Sequence, residues 1–149
     1  GEGKRVQINH VLFGNKFLYC IYDRVYNGGL SGHLNDEMWL NYHKNGNKYE
    51  KVKNPLKANR VRTDKFQLLT QIDPEDIISL VVINDDCILN SEAIERDDHN
   101  MIVHLSDLER TIVICEGRNV APFDENQLTQ VINELNVNNV NNKSYKKQS

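Results

Sequence analysis

The chain has 149 residues and a mass of 17.3 kDa, with 39% hydrophobic residues, 26% charged residues and a formal charge of −3 at pH 7. This length suits one ordinary domain with a hydrophobic core, and the slight acidity excludes a global attraction to nucleic acid or to an anionic membrane. No run approaches the roughly 20 apolar residues that span a bilayer, and no signal-peptide pattern opens the chain, so we expect a cytoplasmic protein without direct membrane contact. A strand is predicted almost at Gly1, and we therefore expect the chain to be a piece of a longer protein whose other part could hold a membrane span.

The first half of the chain predicts strands and then a helix. Residues 5–13 and 16–26 are rich in β-branched and aromatic residues and are joined by a Gly-Asn turn, which predicts an antiparallel pair. A further strand, a turn at 45–47 and a short returning strand follow. Asn54 in N-cap position and Pro55 at the first helical position predict a helix of about four turns over 55–69.

The second half predicts two strands and two helices, at 77–84, 101–105, 106–116 and 123–136. The run at 77–84 is continuously apolar, as expected of a central strand covered on both faces. Ser106 and Glu109 have capping-box spacing at the start of the first helix. The asparagine-rich residues 138–149 predict a flexible polar tail, so the single domain is expected to comprise residues 1–137.

Charge is distributed unevenly along the chain. Residues 48–65 carry seven cations and two acids, a balance of +5, whereas residues 73–109 carry eleven acids and one arginine, a balance of −10. The basic segment 48–65 predicts contacts with DNA or RNA phosphates, above all through Lys57, Arg60 and Arg62. A solvated face explains the same pattern about as well. The acidic half would confine any nucleic-acid contact to one side.

The cysteines predict neither a disulfide framework nor a zinc site. Cys20, Cys87 and Cys115 are odd in number and widely spaced, and each lies in an apolar run. Buried free thiols in a reducing compartment are the expected state. The histidines are scattered without ligand spacing, and no resident metal is predicted from them.

Three segments in order resemble a known family. They are "QINHVLFGNKFLYCIYDRVYNGGLSG" at 7–32, "DEMW" at 36–39 and "NPLKAN" at 54–59. They are similar to the nuclease-related domain (NERD) family of bacterial proteins, a branch of the PD-(D/E)XK restriction-endonuclease-like superfamily. The resemblance covers about residues 5–116 and implies an α/β fold with a restriction-endonuclease-like mixed β-sheet flanked by α-helices. The N-terminal helix of the family, which usually carries a Glu, is missing here.

The catalytic positions that the resemblance implies are all changed. The metal-binding Asp falls on Asn9, the Glu and Lys of the E-x-K motif fall on Tyr22 and Arg24, and the Gln of the helix opening falls on Ala58. Phosphodiester hydrolysis in this superfamily needs Mg²⁺ or Mn²⁺ held by acidic side chains. Tyr22 and Arg24 supply a neutral phenol and a guanidinium instead. Arg24 can hold a phosphate but cannot act as a base.

Two nearby features offer alternative chemistry. Asp23, Asp36 and Glu37 are the acids that could rebuild a metal site, although Asp23 is predicted to project from the opposite strand face and Asp36 to cap a turn. Trp39 and Tyr42 could stack on bases. Packing of Trp39 over the glycine-rich turn is the simpler expectation for a lone tryptophan.

Three functions are therefore kept open. The first is a nuclease-related domain with a degenerate site, without catalytic metal or other cofactor, that binds nucleic acid through Arg24, Lys57, Arg60 and Arg62 or regulates its partner protein. The second is an active nuclease that uses Mg²⁺ or Mn²⁺ in an altered site around Asn9, Asp23, Asp36 and Arg24. The third is a protein-interaction domain of a larger, membrane-tethered bacterial protein that uses the acidic face.

Overall fold

The computed structural model describes residues 7–45, 48–137 and 141–146, with side chains described over 10–45, 48–124 and 126–133. In chain order, the elements are β1 (Gln7–Phe13), β2 (Leu18–Arg24), β3 (Gly29–Ser31), β4 (Met38–Tyr42), β5 (Tyr49–Lys53), α1 (Pro55–Thr70), β6 (Ile77–Ile83), β7 (Ile88–Leu89), β8 (Asn100–His104), α2 (Leu108–Glu116), α3 (Glu125–Val137) and β9 (Asn141–Lys146). Short 3₁₀ turns precede β6, β8 and α2.

The main sheet is mixed, with strand order β8-β6-β2-β1-β9. β1 and β2 pair antiparallel, whereas β2 with β6 and β6 with β8 pair parallel. All seven residues of β6 are buried, because the strand has a neighbour on each edge and other elements cover both of its faces. The predicted α/β class and the predicted placement of four strands in one mixed sheet are both confirmed.

The side chains of β2 alternate between two apolar layers. Leu18 and Cys20 pack with Phe66 of α1 and Val131 of α3. Tyr19 and Ile21 face the opposite way and join the layer under α2. The sheet is therefore covered by α1 and α3 on one face and by α2 on the other. None of the described helices is long and apolar enough to cross a membrane.

A second sheet has strand order β5-β4-β3-β7. The antiparallel pairing of β4 with β5 agrees with the prediction, although part of the turn between them lies outside the described residues. The sheet joins the main one through a third apolar layer that contains Trp39, Leu56 and Val81. Gly28 has φ +83, and a Cβ there would lie 2.0 Å from the Tyr42 carbonyl oxygen, so this approach of β3 to β4 requires glycine.

The predicted cap of α2 was wrong. The chain first forms a 3₁₀ turn at Leu105–Asp107, and Asp107 rather than Ser106 precedes the helix. The Ser106 backbone N–H donates to Asp85 Oδ1 at 2.8 Å, which ties this turn to the loop after β6. A long-range contact thus determined where the helix begins.

Two predictions near the C-terminus also differ from the structure. The third helix begins at Glu125 rather than at residue 123, because the Phe123 N–H donates to the Asn15 carbonyl at 2.9 Å. Residues 141–146 of the predicted flexible tail form β9, parallel to β1. Pairing with an edge strand uses backbone groups, which a polar sequence supplies as well as an apolar one. The rest of the tail lies outside the described residues.

Candidate functional site

A cleft of about 780 Å³ lies where the end of β2, the first half of α1 and the second sheet meet. Five cationic side chains line it: Arg24, Lys53, Lys57, Arg62 and Lys65. Glu37 is the one acidic side chain among the described residues that line the cleft, whose charged lining therefore carries a net charge of +4. Such a concentration of one sign in a concave surface favours an anionic ligand.

The fold brings three of the four changed catalytic positions into this cleft. Tyr22, Arg24 and Ala58 all line it. Asn9 lies in β1, next to His10, which pairs with Ile21 of β2, but its side chain lies outside the described part of the chain. The residues that the family resemblance selected are thus neighbours in space, although they come from a strand and a helix.

Aromatic rings hold the two guanidinium groups of the cleft. The guanidinium carbon of Arg62 lies 4.1 Å from the Tyr22 ring centroid, and that of Arg24 lies 5.5 Å from the same centroid and 5.7 Å from that of Tyr26. Arg62 Nη2 also donates to the Tyr22 hydroxyl at 3.4 Å. A hydrogen bond with Tyr26 raises the pKa of Arg24. Neither guanidinium has a carboxylate within 4 Å among the described side chains.

The acidic candidates do not converge. Asp23 pairs with His10 away from the cleft, as predicted from its strand face. Asp36 accepts the His33 N–H at 3.1 Å, which confirms its predicted use as a turn cap. Glu37 pairs with Lys57. Among the described residues, no group of three His, Cys, Asp or Glu side chains is placed to hold a metal ion.

Asn54 joins the wall of the cleft to the start of α1. Its Oδ1 accepts the backbone N–H groups of Leu56 and Lys57 at 2.9 and 3.2 Å, which confirms the predicted N-cap. Its Nδ2 donates to the carbonyls of Leu34 and Asp36, both at 2.8 Å. The Asn-Pro pair therefore fixes the loop before β4 against the helix. Since Asn54 occupies these helix N–H groups, an anion must be bound by side chains.

Trp39 is a core residue and supports the same loop. It is buried, and its Nε1 donates to the His33 carbonyl at 2.8 Å. A Cβ on Gly32 would lie 2.2 Å from Trp39 Cδ1, so the glycine lets the loop lie directly over the indole. This confirms packing over the glycine-rich turn rather than base stacking for Trp39.

Asn59 anchors α1 to the sheet, a function that the sequence did not indicate. It is fully buried, and its Nδ2 donates to the Cys20 carbonyl at 3.0 Å and to Ser79 Oγ at 2.8 Å. The helix is thereby tied to both β2 and β6. This contact keeps the cleft-facing side of α1 at a constant position relative to Tyr22.

Arg60 does not line the cleft, unlike Lys57 and Arg62. Its Nη1 donates to the His99 carbonyl at 3.3 Å and its Nε lies 3.2 Å from Asp64 Oδ1. Lys53 and Lys65 line the cleft as well but were not among the predicted phosphate-binding residues, although both belong to the basic segment. Helical periodicity applied from Lys57 and Arg62 could have selected Lys65 but not Lys53, which comes from β5.

A second cavity, of about 380 Å³, is a groove between β8 and the loop before it. Its floor is apolar and includes Leu56, Ile94 and Ile102. Charged residues of the loop border it, namely Glu95, Arg96, Asp97 and Asp98. This groove belongs to the acidic half of the molecule.

The three cysteines are free and buried, as predicted. Burial raises the pKa of Cys20 to about 12, so its thiol stays protonated at neutral pH. Burial likewise raises the pKa of the Cys87 and Cys115 thiols. None of the three has the lowered pKa of a nucleophilic or metal-binding thiolate.

No protein-family model, no curated protein and no solved structure matches this chain. The resemblance to the nuclease-related domain family therefore stays a prediction from the quoted motifs.

Proposed function

We propose that the chain is a nucleic-acid-binding module, built on a nuclease-related scaffold, that holds phosphate groups in the basic cleft without cleaving them. The observation that carries the proposal is the charge of the cleft, with five cations against one carboxylate. Glu37 is already paired with Lys57, which leaves four cations without a carboxylate within 4 Å among the described residues. Phosphate oxygens are suitable partners for such groups.

The arrangement of Arg24 and Arg62 suits phosphate recognition in particular. A guanidinium presents a planar fork that matches two phosphate oxygens, and it keeps its charge at any physiological pH. Stacking on Tyr22 restricts the orientation of both groups before a ligand arrives. Less conformational freedom is then lost on binding, which favours affinity.

Cleavage is not expected, because the ligand chemistry of the cleft does not suit a catalytic divalent ion. Mg²⁺ and Mn²⁺ need oxygen ligands with negative charge, usually two carboxylates in this superfamily. Where the family has its E-x-K motif, the cleft presents a phenol and a guanidinium, and Glu37 is engaged by an ammonium group. We propose a module that works in the bacterial cytoplasm.

Fluorescence anisotropy with labelled DNA and RNA oligonucleotides tests binding. The double variant Arg24→Ala/Arg62→Ala should bind about 100-fold or more weakly, since each of the two lost charge-assisted hydrogen bonds contributes about 1.5–3 kcal/mol. Its plot of log affinity against log salt should be flatter by about 1.4 units for single strands. Arg60→Ala/Arg110→Ala removes two arginines outside the cleft and should bind like the parent chain. Equal loss in both variants, or no binding by the parent at about 50 mM salt, contradicts the proposal.

A nuclease assay tests the absence of cleavage. The parent is incubated with DNA and RNA in Mg²⁺ and in Mn²⁺, beside the variant Asn9→Asp/Tyr22→Glu/Arg24→Lys/Ala58→Gln, which restores the family pattern. We expect no cleavage by the parent. Metal-dependent cleavage that EDTA abolishes and that Glu37→Gln reduces would show an active site in the cleft and would overturn this part of the proposal.

A further inference from the structure

We infer that the nucleic acid held in the cleft is single-stranded, with an unpaired nucleotide inserted between the second sheet and α1. This inference rests on the proposed function and specifies its ligand. Three features carry it: the size of the cleft, the apolar side chains on its walls and the depth at which the Arg62 guanidinium lies.

The cleft has the size of a small-ligand pocket. Its volume of about 780 Å³ falls within the roughly 300–1,000 Å³ of pockets that enclose small molecules. Specific duplex-binding surfaces are extended, since they bury about 1,000–2,500 Å² of protein. We therefore expect the cleft to take a single nucleotide, whereas a stiff duplex would rest across its opening.

Opposite walls of the cleft carry exposed apolar side chains. Met38, at the start of β4, is 44% exposed, and Val61, on α1, is 50% exposed. The faces of an unpaired base are apolar and polarisable, and a methionine thioether packs well against such a ring. In a duplex these faces are stacked on neighbouring base pairs and would leave Met38 and Val61 in water.

The cations lie at two levels. Arg62 is half-buried over Tyr22, whereas Arg24, Lys53 and Lys65 are exposed. A flexible single strand can bend to bring one phosphate to the Arg62 guanidinium while its neighbours contact the exposed cations. The phosphates of a duplex lie on the outside of a stiff rod and would meet mainly Arg24, Lys53 and Lys65. Duplex binding should therefore be weaker and should depend little on the interior of the cleft.

The test compares single strands of about 12 nucleotides, within the site sizes of single-strand binding proteins, with the matching blunt duplex at equal salt. One single strand is DNA and the other is RNA of the same sequence, so the assay also shows whether the cleft prefers DNA or RNA. We expect single strands to bind at least about ten-fold more tightly than the duplex. Met38→Ser and Val61→Ser should each weaken single-strand binding about five-fold by loss of apolar contact, without changing duplex binding.

A matched control and thermal unfolding keep the result interpretable. Val113→Ser changes a valine that is 64% exposed on α2, outside the cleft, and should alter neither affinity. Both cleft residues are exposed, so their serine variants should unfold at nearly the parent temperature. Duplex binding equal to or tighter than single-strand binding, or equal affinity of the Met38 and Val61 variants and the parent for single strands, overturns this inference while leaving phosphate binding in place. Failure of the parent to bind any of the nucleic acids overturns both proposals.

Discussion

The basic cleft and the acidic groove lie on two sides of the same helix. Leu56 of α1 lines the groove and the next residue, Lys57, lines the cleft. In the cleft, four cations have no carboxylate within 4 Å among the described residues, whereas the groove combines an apolar floor with both signs of charge on its border. The net charge of −3 averages these two environments.

The difference in charge between the cleft and the groove indicates from which side an anionic ligand can approach. A polyanion is attracted to the cleft and repelled from the acidic half, so the molecule as a whole favours one orientation of the ligand. A surface with the same net charge of −3 spread evenly would not impose that orientation.

The largest expected effect comes from Asn54→Ala. The change removes the helix cap, worth about 0.5–2 kcal/mol, and two further bonds to the loop before β4, each worth about 0.5–1.5 kcal/mol. We therefore expect a loss of about 3 kcal/mol in the free energy of unfolding, measured in urea, together with weaker nucleic-acid binding. The control is Asn90→Ala near the groove, where the side chain makes no cap bond. An equal loss of stability in both variants would contradict the expectation that the bonds of Asn54 to the helix and to the loop before β4 stabilise the cleft wall.

Gly32→Ala should cause the next largest loss of stability. Its Cβ would meet the buried Trp39 indole at 2.2 Å, and overpacking of this kind costs about 1–3 kcal/mol. Gly117→Ala, at the end of α2, adds a Cβ whose nearest contact is 3.4 Å and should change stability little. Thermal unfolding of the two variants measures the difference. A stable Gly32 variant would show that the loop can leave the indole without cost.

Glu37→Gln should tighten binding. The change releases Lys57 and removes the one carboxylate among the described lining residues, and an exposed pair of this kind corresponds to about two- to five-fold in affinity. Glu95→Gln removes one negative charge at the groove instead and should leave affinity nearly unchanged. Anisotropy titrations at equal salt compare the two. Weaker binding by the Glu37 variant would indicate that this carboxylate contacts the ligand, directly or through a metal ion.

The smallest expected effect is a pH-dependent increase in the free energy of unfolding, caused by Asp76→Asn. Burial, Asp73 and Glu75 raise the pKa of Asp76 above its usual 3.8, so the folded state disfavours the ionised form. The cost of keeping this carboxylate ionised in the folded state is absent below about pH 3.8, where Asp76 is protonated in both the folded and the unfolded chain. The cost appears as the pH rises through the raised pKa and persists at neutral pH. The variant should gain about a few tenths of a kcal/mol at pH 7, a small amount because solvent screens much of this carboxyl. The gain should vanish in acid.

Asp86→Asn, measured over the same pH range, should change the free energy of unfolding in the opposite direction. Hydrogen bonds from Asn84 and Lys44 lower the pKa of Asp86. Its stabilising contribution is therefore present at neutral pH and is lost as the pH falls through the lowered value. Urea unfolding between pH 3 and pH 7 would distinguish the two variants. The same direction of change in both would contradict the assignment of the Asp76 shift to burial and neighbouring acids.

The amino-acid sequence by itself determined the elements whose cause is local. The apolar run of β6 and the Asn54-Pro55 start of α1 depend on neighbouring residues, and both were predicted within one or two positions. The local run of cations selected Lys57 and Arg62, and the family resemblance selected Tyr22; all three line the cleft.

Tertiary structure decided what depends on residues distant in sequence. Lys53 reaches the cleft because β5 belongs to a second sheet packed against α1, and Arg60 leaves it because the His99 carbonyl lies on the other side of that helix. The Asp85 carboxylate displaced the predicted cap at Ser106, and the exposed edge of β1 ordered a polar segment as β9. Each of these outcomes requires a partner that no local pattern contains, since side-chain and backbone groups bind whichever complementary group the fold brings within reach.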